Sequence, residues 1–176
     1  MKATGVVRRI DDLGRIVIPK EIRKSLRIKD GESLEIYLDS DNIILKKFSP
    51  FDNLNDFYKD YVDSIYSSIK ENILIVDRDT IVAIAGDLKK KYFGKQISLD
   101  IDEIIQKRNI VVSKEYTNIN IVDGEKLYGS FVIAPIVVNG DAIGAVIMYS
   151  ENRRLDELDE KTITIAAKFL GKYIEE

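Results

Sequence analysis

The rhythm of hydrophobic and polar positions changes partway along this chain. Between residues 6 and 47 the apolar positions come in short, β-branched bursts separated by turn formers. Val6-Val7-Arg8-Arg9-Ile10 and Arg15-Ile16-Val17-Ile18 predict two strands joined by an Asp11-Asp12-Leu13-Gly14 turn. Pro19 suits the first position of a helix, and Ile22 and Leu26, four apart, predict one or two helical turns over 20–26, ended by Lys29-Asp30-Gly31. Leu34-Glu35-Ile36-Tyr37-Leu38 alternates, Ser40-Asp41-Asn42 turns, and residues 43–47 return as a second hairpin. Four short strands and one helical turn in about 47 residues bury too little apolar area to be stable alone, so a partner copy is expected.

After Ser49-Pro50 the period becomes helical. From Asn53 onward, Leu54, Phe57, Tyr58, Tyr61, Val62, Ile65 and Ile69 recur at three and four, a narrow aromatic-rich stripe suited to a bundle seam or to the cover of a sheet. Strands are expected at 73–77 and 80–86, then a lysine-rich helical segment before Gly94. Ser98 is placed to cap a helix running through Ile101, Ile104 and Ile105 to Arg108. Further strands are expected at 110–112, 119–123, 130–138 and 142–150, the last two hinged at Asn139-Gly140-Asp141. A helix from Asp156 to about Ile174, striped by Leu158, Ile165, Ala166, Phe169 and Tyr173, closes the chain. Helix, antiparallel strands, helix make an α+β sandwich, so the fold class is α+β throughout.

Composition narrows the chemistry. The 176 residues contain no Cys and no His, which removes disulfides, the usual zinc ligands, thiol nucleophiles and His-based triads. Neither a Walker-type phosphate loop nor an EF-hand pattern is present. The start, MKATGVVRRIDDLG, lacks a signal-type apolar core, and no apolar run approaches the roughly 20 residues that span a bilayer, so a cytoplasmic protein without membrane contact is expected. The net charge of −3 hides an asymmetry. Residues 1–29 hold nine Lys and Arg against three acids, whereas residues 48–176 hold sixteen against twenty-two. The two parts face different partners.

The stretch TGVVRRIDDLGRIVIPKEIRKSL, followed by LEIYL and IILKK, closely resembles the N-terminal DNA-binding domain of the AbrB family of transition-state regulators; GRIVIPKEIR is its most specific part. The resemblance implies a swapped-hairpin fold in which two chains interleave their strands into one dimeric β-barrel that binds double-stranded DNA. Residues 72–150 with their flanking helices look like a GAF domain, through the GSFVIAPIVVNGDAIGAVIMYS hairpin and the strand order. The pairing is similar to a family of sporulation regulators in spore-forming bacteria. It implies a nucleoid-associated transcription regulator, dimeric or tetrameric, with domains at 1–50 (DNA binding), 51–71 (linker helix for a bundle) and 72–176 (GAF-like sensor).

Strand side chains alternate faces, so Arg8 and Ile10 share one face while Val7 and Arg9 share the other. Arg15, Arg23 and Lys24 align with positions that the resemblance implies touch DNA, beside Arg8; with Arg9 they form the expected DNA-binding set. Arginine offers a planar fork to phosphate or guanine and lysine a point charge, so Arg8, Arg15 and Arg23 should outweigh Lys24. Arg27 and Lys29 read as solvated, and Asp11-Asp12 as turn formers or partners for nearby arginines rather than a catalytic pair. Tyr58, Tyr61 and Tyr66 read as packing, and Lys89-Lys90-Lys91 as a solvated helix end. No cofactor or metal is expected; the GAF resemblance implies a small-molecule cavity, but no residue identifies its occupant. An antitoxin-like interaction protein built on a similar small barrel is the rival reading, disfavoured because residues 72–176 read as folded. An enzyme built on the C-terminal part is disfavoured by the missing His and Cys.

Overall fold

The computed structural model describes residues 5–49 and 54–175, and it divides into two compact units, 1–48 and 49–176. Pro50 and Asn53, to which the sequence assigns the chain break and the helix start, lie outside the described residues.

The first unit contains helix α1 (Lys20–Ser25) and a hairpin of β1 (Leu34–Asp39) and β2 (Asn42–Lys47). Pro19 sits one position earlier than expected, as the cap residue with extended backbone (φ −57°, ψ 146°). In the hairpin, Ile36 faces Leu45 and Leu38 faces Ile43, which puts these four side chains on one face. That face is uncovered: Leu38 is 80% exposed and Ile36 66%. Residues 6–10 and 15–18 differ from expectation. Among the described residues they form no ladder; a tight turn joins them, in which the Gly14 N–H donates to the Asp11 carbonyl (3.0 Å) and the Asp11 N–H to the Arg15 carbonyl (3.1 Å). A strand needs a regular ladder for its backbone groups, and the described residues form none over these segments. Of the described residues in this unit, Pro19 is buried, while Val7, Leu13 and Val17 are mostly exposed.

The second unit is built on a five-stranded antiparallel sheet of β3 (Asn72–Asp77), β4 (Thr80–Ala85), β5 (Val111–Val122), β6 (Glu125–Val138) and β7 (Asp141–Ser150), in the order β4-β3-β7-β6-β5. Helices α2 (Asn55–Ile69) and α5 (Glu157–Glu175) cover one face; α3 (Lys89–Tyr92) and α4 (Leu99–Gln106) cover the other. β3 is buried along its whole length because its alternating side chains serve both layers. Ile73 and Ile75 join Tyr58 and Val62 of α2, and Leu74 and Val76 join Ile101 and Ile105 of α4. Gly144 of β7 lies so close to β3 that a Cβ there would stand 2.0 Å from the Val76 carbonyl oxygen.

Ser98 caps α4 as expected, accepting the Ile101 N–H at 3.2 Å. The segments expected at 110–112 and 119–123 are one twelve-residue strand, β5, whose register shifts between Ser113 and Thr117 and again between Asn120 and Val122. The middle of β5 is polar because it lies on an exposed sheet edge, so the alternation that marks a half-buried strand is missing there.

The largest departure concerns α5. Of the expected stripe of Leu158, Ile165, Ala166, Phe169 and Tyr173, only Ala166 is on the buried face. Ile163, Ala166, Ala167, Leu170 and Gly171 face the sheet, whereas Leu158 (72%), Ile165 (67%), Phe169 (46%) and Tyr173 (40%) are exposed. The helix carries two apolar faces, and the one with small residues approaches closest. A Cβ at Gly171 would meet the Val137 carbonyl oxygen at 2.7 Å, a separation that no larger side chain allows.

Among the described residues no helix is long and apolar enough to cross a membrane.

Candidate nucleic-acid interface and sensor unit

The five expected DNA-contacting residues sit on local structure that the sequence dictates. Arg8, Arg9 and Arg15 flank the tight turn at 11–14; Arg23 and Lys24 lie in the last turn of α1. Arg8, Arg9, Arg15 and Lys24 are exposed and Arg23 is half-buried. The structure gives Asp11 both roles expected of it, turn former and arginine partner, and adds a pair that the sequence did not suggest. Asp11 organises its turn by accepting the backbone N–H groups of Leu13 (3.0 Å) and Arg15 (2.7 Å), and its second oxygen takes the Arg15 Nε at 2.7 Å. The backbone and side-chain hydrogen bonds from Arg15 hold the Asp11 carboxyl below the usual carboxylate range. Arg23 donates from Nη1 to Asp30 at 2.6 Å. The signal for the first pair was legible as an Asp and an Arg four apart. The second spans seven residues and depends on the chain reversing after α1.

These pairs set geometry rather than stability. Both are exposed on at least one side, with Arg15 at 71% and Asp30 at 94% side-chain exposure, and exposed ion pairs contribute only about 0–1 kcal/mol. Each carboxylate therefore orients a guanidinium while leaving it accessible to solvent. Lys29 is exposed as expected, and Arg27 adopts a positive φ of 52° where the chain leaves α1.

In the second unit the expected packing role of the tyrosines holds for the residues that matter most. Tyr58 is fully buried, and its hydroxyl is pushed well above its ordinary value by burial and by Asp77. Tyr61 reaches the Ala166 carbonyl at 3.4 Å. Phe57 stacks on Tyr173 (4.5 Å between centroids) and Tyr61 on Phe169 (5.6 Å), so an aromatic row crosses from α2 to α5 and continues onto the exposed face of α5.

The two helices are also tied by charge. Arg153 donates from Nε to Glu71 (2.9 Å), just after α2, and from Nη1 and Nη2 to both oxygens of Asp159 (2.7 and 2.8 Å) in the first turn of α5. Burial alone raises the Asp159 carboxyl, but the Arg153 hydrogen bonds and the Asp156 N–H outweigh it and leave it below its ordinary value. Among the described residues no group of three or more His, Cys, Asp or Glu gathers in a way that could hold a metal ion.

Comparison with known proteins resolves what the geometry leaves general. The family model for the C-terminal part of stage V sporulation protein T, described as a transcription factor, matches residues 53–175. The model for MazE, an antidote-toxin recognition family of bacterial antitoxins, matches residues 7–50. Stage V sporulation protein T of Bacillus subtilis (strain 168) is 45% identical over 178 aligned residues covering 100% of both chains. The transition state regulatory protein AbrB of the same organism is 56% identical over 50 residues, which are 28% of this chain and 52% of that one. Among solved structures, the GAF domain of an Acinetobacter phosphoenolpyruvate-protein phosphotransferase superposes with a TM-score of 0.56 at 18% identity, over 69% of this chain and 81% of that one. The GAF domain of A. aeolicus nlh2 superposes with a TM-score of 0.54 at 16% identity, over 69% and 84%.

Proposed function

This chain belongs to the stage V sporulation protein T family, regulators of sporulation transcription with an AbrB-type DNA-binding part and a GAF-like part, and from that premise we propose how it works. Two copies interleave their N-terminal hairpins into one barrel, through the apolar face that Ile36, Leu38, Ile43 and Leu45 leave uncovered in the single chain. That uncovered face is the observation that carries the reading: a chain that folds with it exposed in water completes itself with a second copy. The barrel then presents Arg8, Arg9, Arg15, Arg23 and Lys24 twice, related by a two-fold axis, to double-stranded DNA. Phosphate neutralisation supplies most of the affinity, and arginine contacts to base edges and DNA deformability tune it.

We read residues 1–50 as the DNA-binding domain and 72–176 as the sensor, with α2, which packs on the sensor's sheet, as the helix between them. The exposed side of α5, with Ile165, Phe169 and Tyr173, joins two barrel dimers into a tetramer. The GAF-like domain regulates by setting the geometry between barrels, and its acidic surplus keeps it off the DNA. The chain performs no catalysis, and it works in the cytoplasm on the nucleoid.

The antitoxin match over residues 7–50 gives a second reading, toxin neutralisation, on the same small barrel. The 56% identity to AbrB over that region and the folded second unit favour DNA. Genome-wide mapping of bound sites during sporulation tests the proposal. Enrichment at discrete promoters, abolished in a triple Arg8→Ala, Arg15→Ala, Arg23→Ala variant, is the expected result; binding indistinguishable from that variant's overturns it.

A further inference from the structure

We propose that Lys91 and Lys95, set over the ring of Tyr92, form a binding site for a small anion bearing a phosphoryl group, with Glu125 occupying it as an internal stand-in. The inference rests on the sensor reading above and names the ligand class of that unit.

Residues 89–95 hold four lysines and no acid. The Nζ atoms of Lys91 and Lys95 lie 5.2 and 5.7 Å from the centroid of the Tyr92 ring, so two cations share one aromatic floor. Both also converge on Glu125, Lys91 at one carboxylate oxygen and Lys95 at the other (3.4 Å). One carboxylate facing two ammonium groups leaves a positive surplus. Tyr92 itself is fully buried beneath the two ammonium groups, so the core holds the floor of the site in place.

The two lysines are held differently from the carboxylate. Lys95 lies in a stretch that runs along β4 like an added strand: the Gly94 N–H donates to Ile81 (2.9 Å), the Ile81 N–H to Lys95 (3.0 Å) and the Ile97 N–H to Asp79 (2.8 Å). Glu125 stands at the tip of the β5–β6 hairpin, directly after Gly124 (φ +76°), where the register slips between Asn120 and Val122. The backbone at Lys95 is tied along β4, and the counter-ion sits at a hairpin turn. A phosphoryl group, with up to two charges and three acceptor oxygens, competes with a single carboxylate for both lysines.

Displacing Glu125 would free the hairpin tip. That tip is joined to the start of α4, where Ser98 donates from Oγ to the Asn120 carbonyl (2.6 Å) and from its N–H to Ile121 (2.8 Å). Occupancy of the site is thereby linked to the helical layer of the sensor. A small anion fits better than a nucleic acid strand, because residues 48–176 as a whole carry six more acids than bases and repel a polyanion.

The test is isothermal titration calorimetry of the full chain with inorganic pyrophosphate. Saturable binding is expected, about fivefold tighter in Glu125→Gln, the scale of one partly exposed charge pair, and at least tenfold weaker in Lys95→Gln and Lys91→Gln. A gain in Glu125→Gln cannot come from misfolding. No saturable heat in either the wild type or Glu125→Gln at millimolar pyrophosphate overturns the site. So does a Lys90→Gln loss as large as that of Lys95→Gln, which would mark diffuse attraction. If Glu125→Gln instead tightens binding to a random DNA duplex and not to pyrophosphate, the phosphoryl group belongs to DNA and the small-ligand proposal fails. Operator affinity measured with and without pyrophosphate is scored separately. Pyrophosphate binding that leaves operator affinity unchanged supports the site while defeating the sensor reading.

Discussion

Leu38→Asp is the substitution that most directly tests whether the first unit is completed by a second copy. Leu38 is 80% exposed and lies opposite Ile43 on the apolar face of the β1–β2 hairpin. If that face is covered in the assembled protein, burying Leu38 contributes about 1.5–3 kcal/mol, and a two-fold axis counts it twice, for roughly 3–6 kcal/mol per dimer. An aspartate there forfeits this and adds the cost of desolvating two carboxylates. Even the central figure of about 4 kcal/mol weakens association about a thousandfold. The assay pairs sedimentation velocity of the full chain at low micromolar concentration with operator binding on the same samples. The expected outcome is a mass reduced by half or more, with operator binding abolished. If Leu38 is merely a solvated residue, the mass and the operator affinity stay at their wild-type values, and the reasoning from the uncovered face is refuted.

Other outcomes follow from the same geometry. Alanine at Arg8, Arg15 or Arg23 should flatten the slope of log K against log salt by roughly 0.9 for each phosphate left without its cation, in both chains of the dimer, while Arg27→Ala changes little; equal slopes for all four variants would count against the assignment. Gly144→Ala should destabilise the second unit by about 3 kcal/mol in urea unfolding, because the new methyl falls 2.0 Å from the Val76 carbonyl oxygen and two central strands must part. Asp159→Asn should cost about 1–2 kcal/mol by removing a bidentate charge-assisted pair with Arg153, read as a lower unfolding midpoint at neutral pH. Asp159 is held below its ordinary value, so its contribution is complete above about pH 4 and is lost as pH falls through the folded-state value. The wild type and Asp159→Asn should therefore converge in stability toward low pH, and a gap that does not narrow as pH falls below about 4 would contradict the role given to the Arg153–Asp159 pair.

Much of the architecture was legible because it is local. A turn at Asp11–Gly14, a Ser98 cap, and β3 and β4 separated by Arg78-Asp79 are set by residues within a few positions of one another, and the sequence carries that information directly. Asymmetry of charge and the AbrB-like stretch likewise mark the N-terminal part as the AbrB-type DNA-binding part, since charge and motif are properties of the chain that need no fold to be read. Where neighbours distant in sequence decide the outcome, periodicity was silent. Two apolar stripes compete on α5, and only the clearance over β6 decides that Ala166, Ala167, Leu170 and Gly171 turn inward and Phe169 and Tyr173 outward. The middle of β5 reads as loop because its strand identity comes from hydrogen bonds to β6, not from its own polar side chains. Arg153 reads as one more surface cation until the fold brings Glu71 to it from the start of the unit, beside Asp159 six residues on. For residues 6–18 the sequence determined extended segments around a turn, but a ladder is a property of two strands, and among the described residues these segments are not assigned to one.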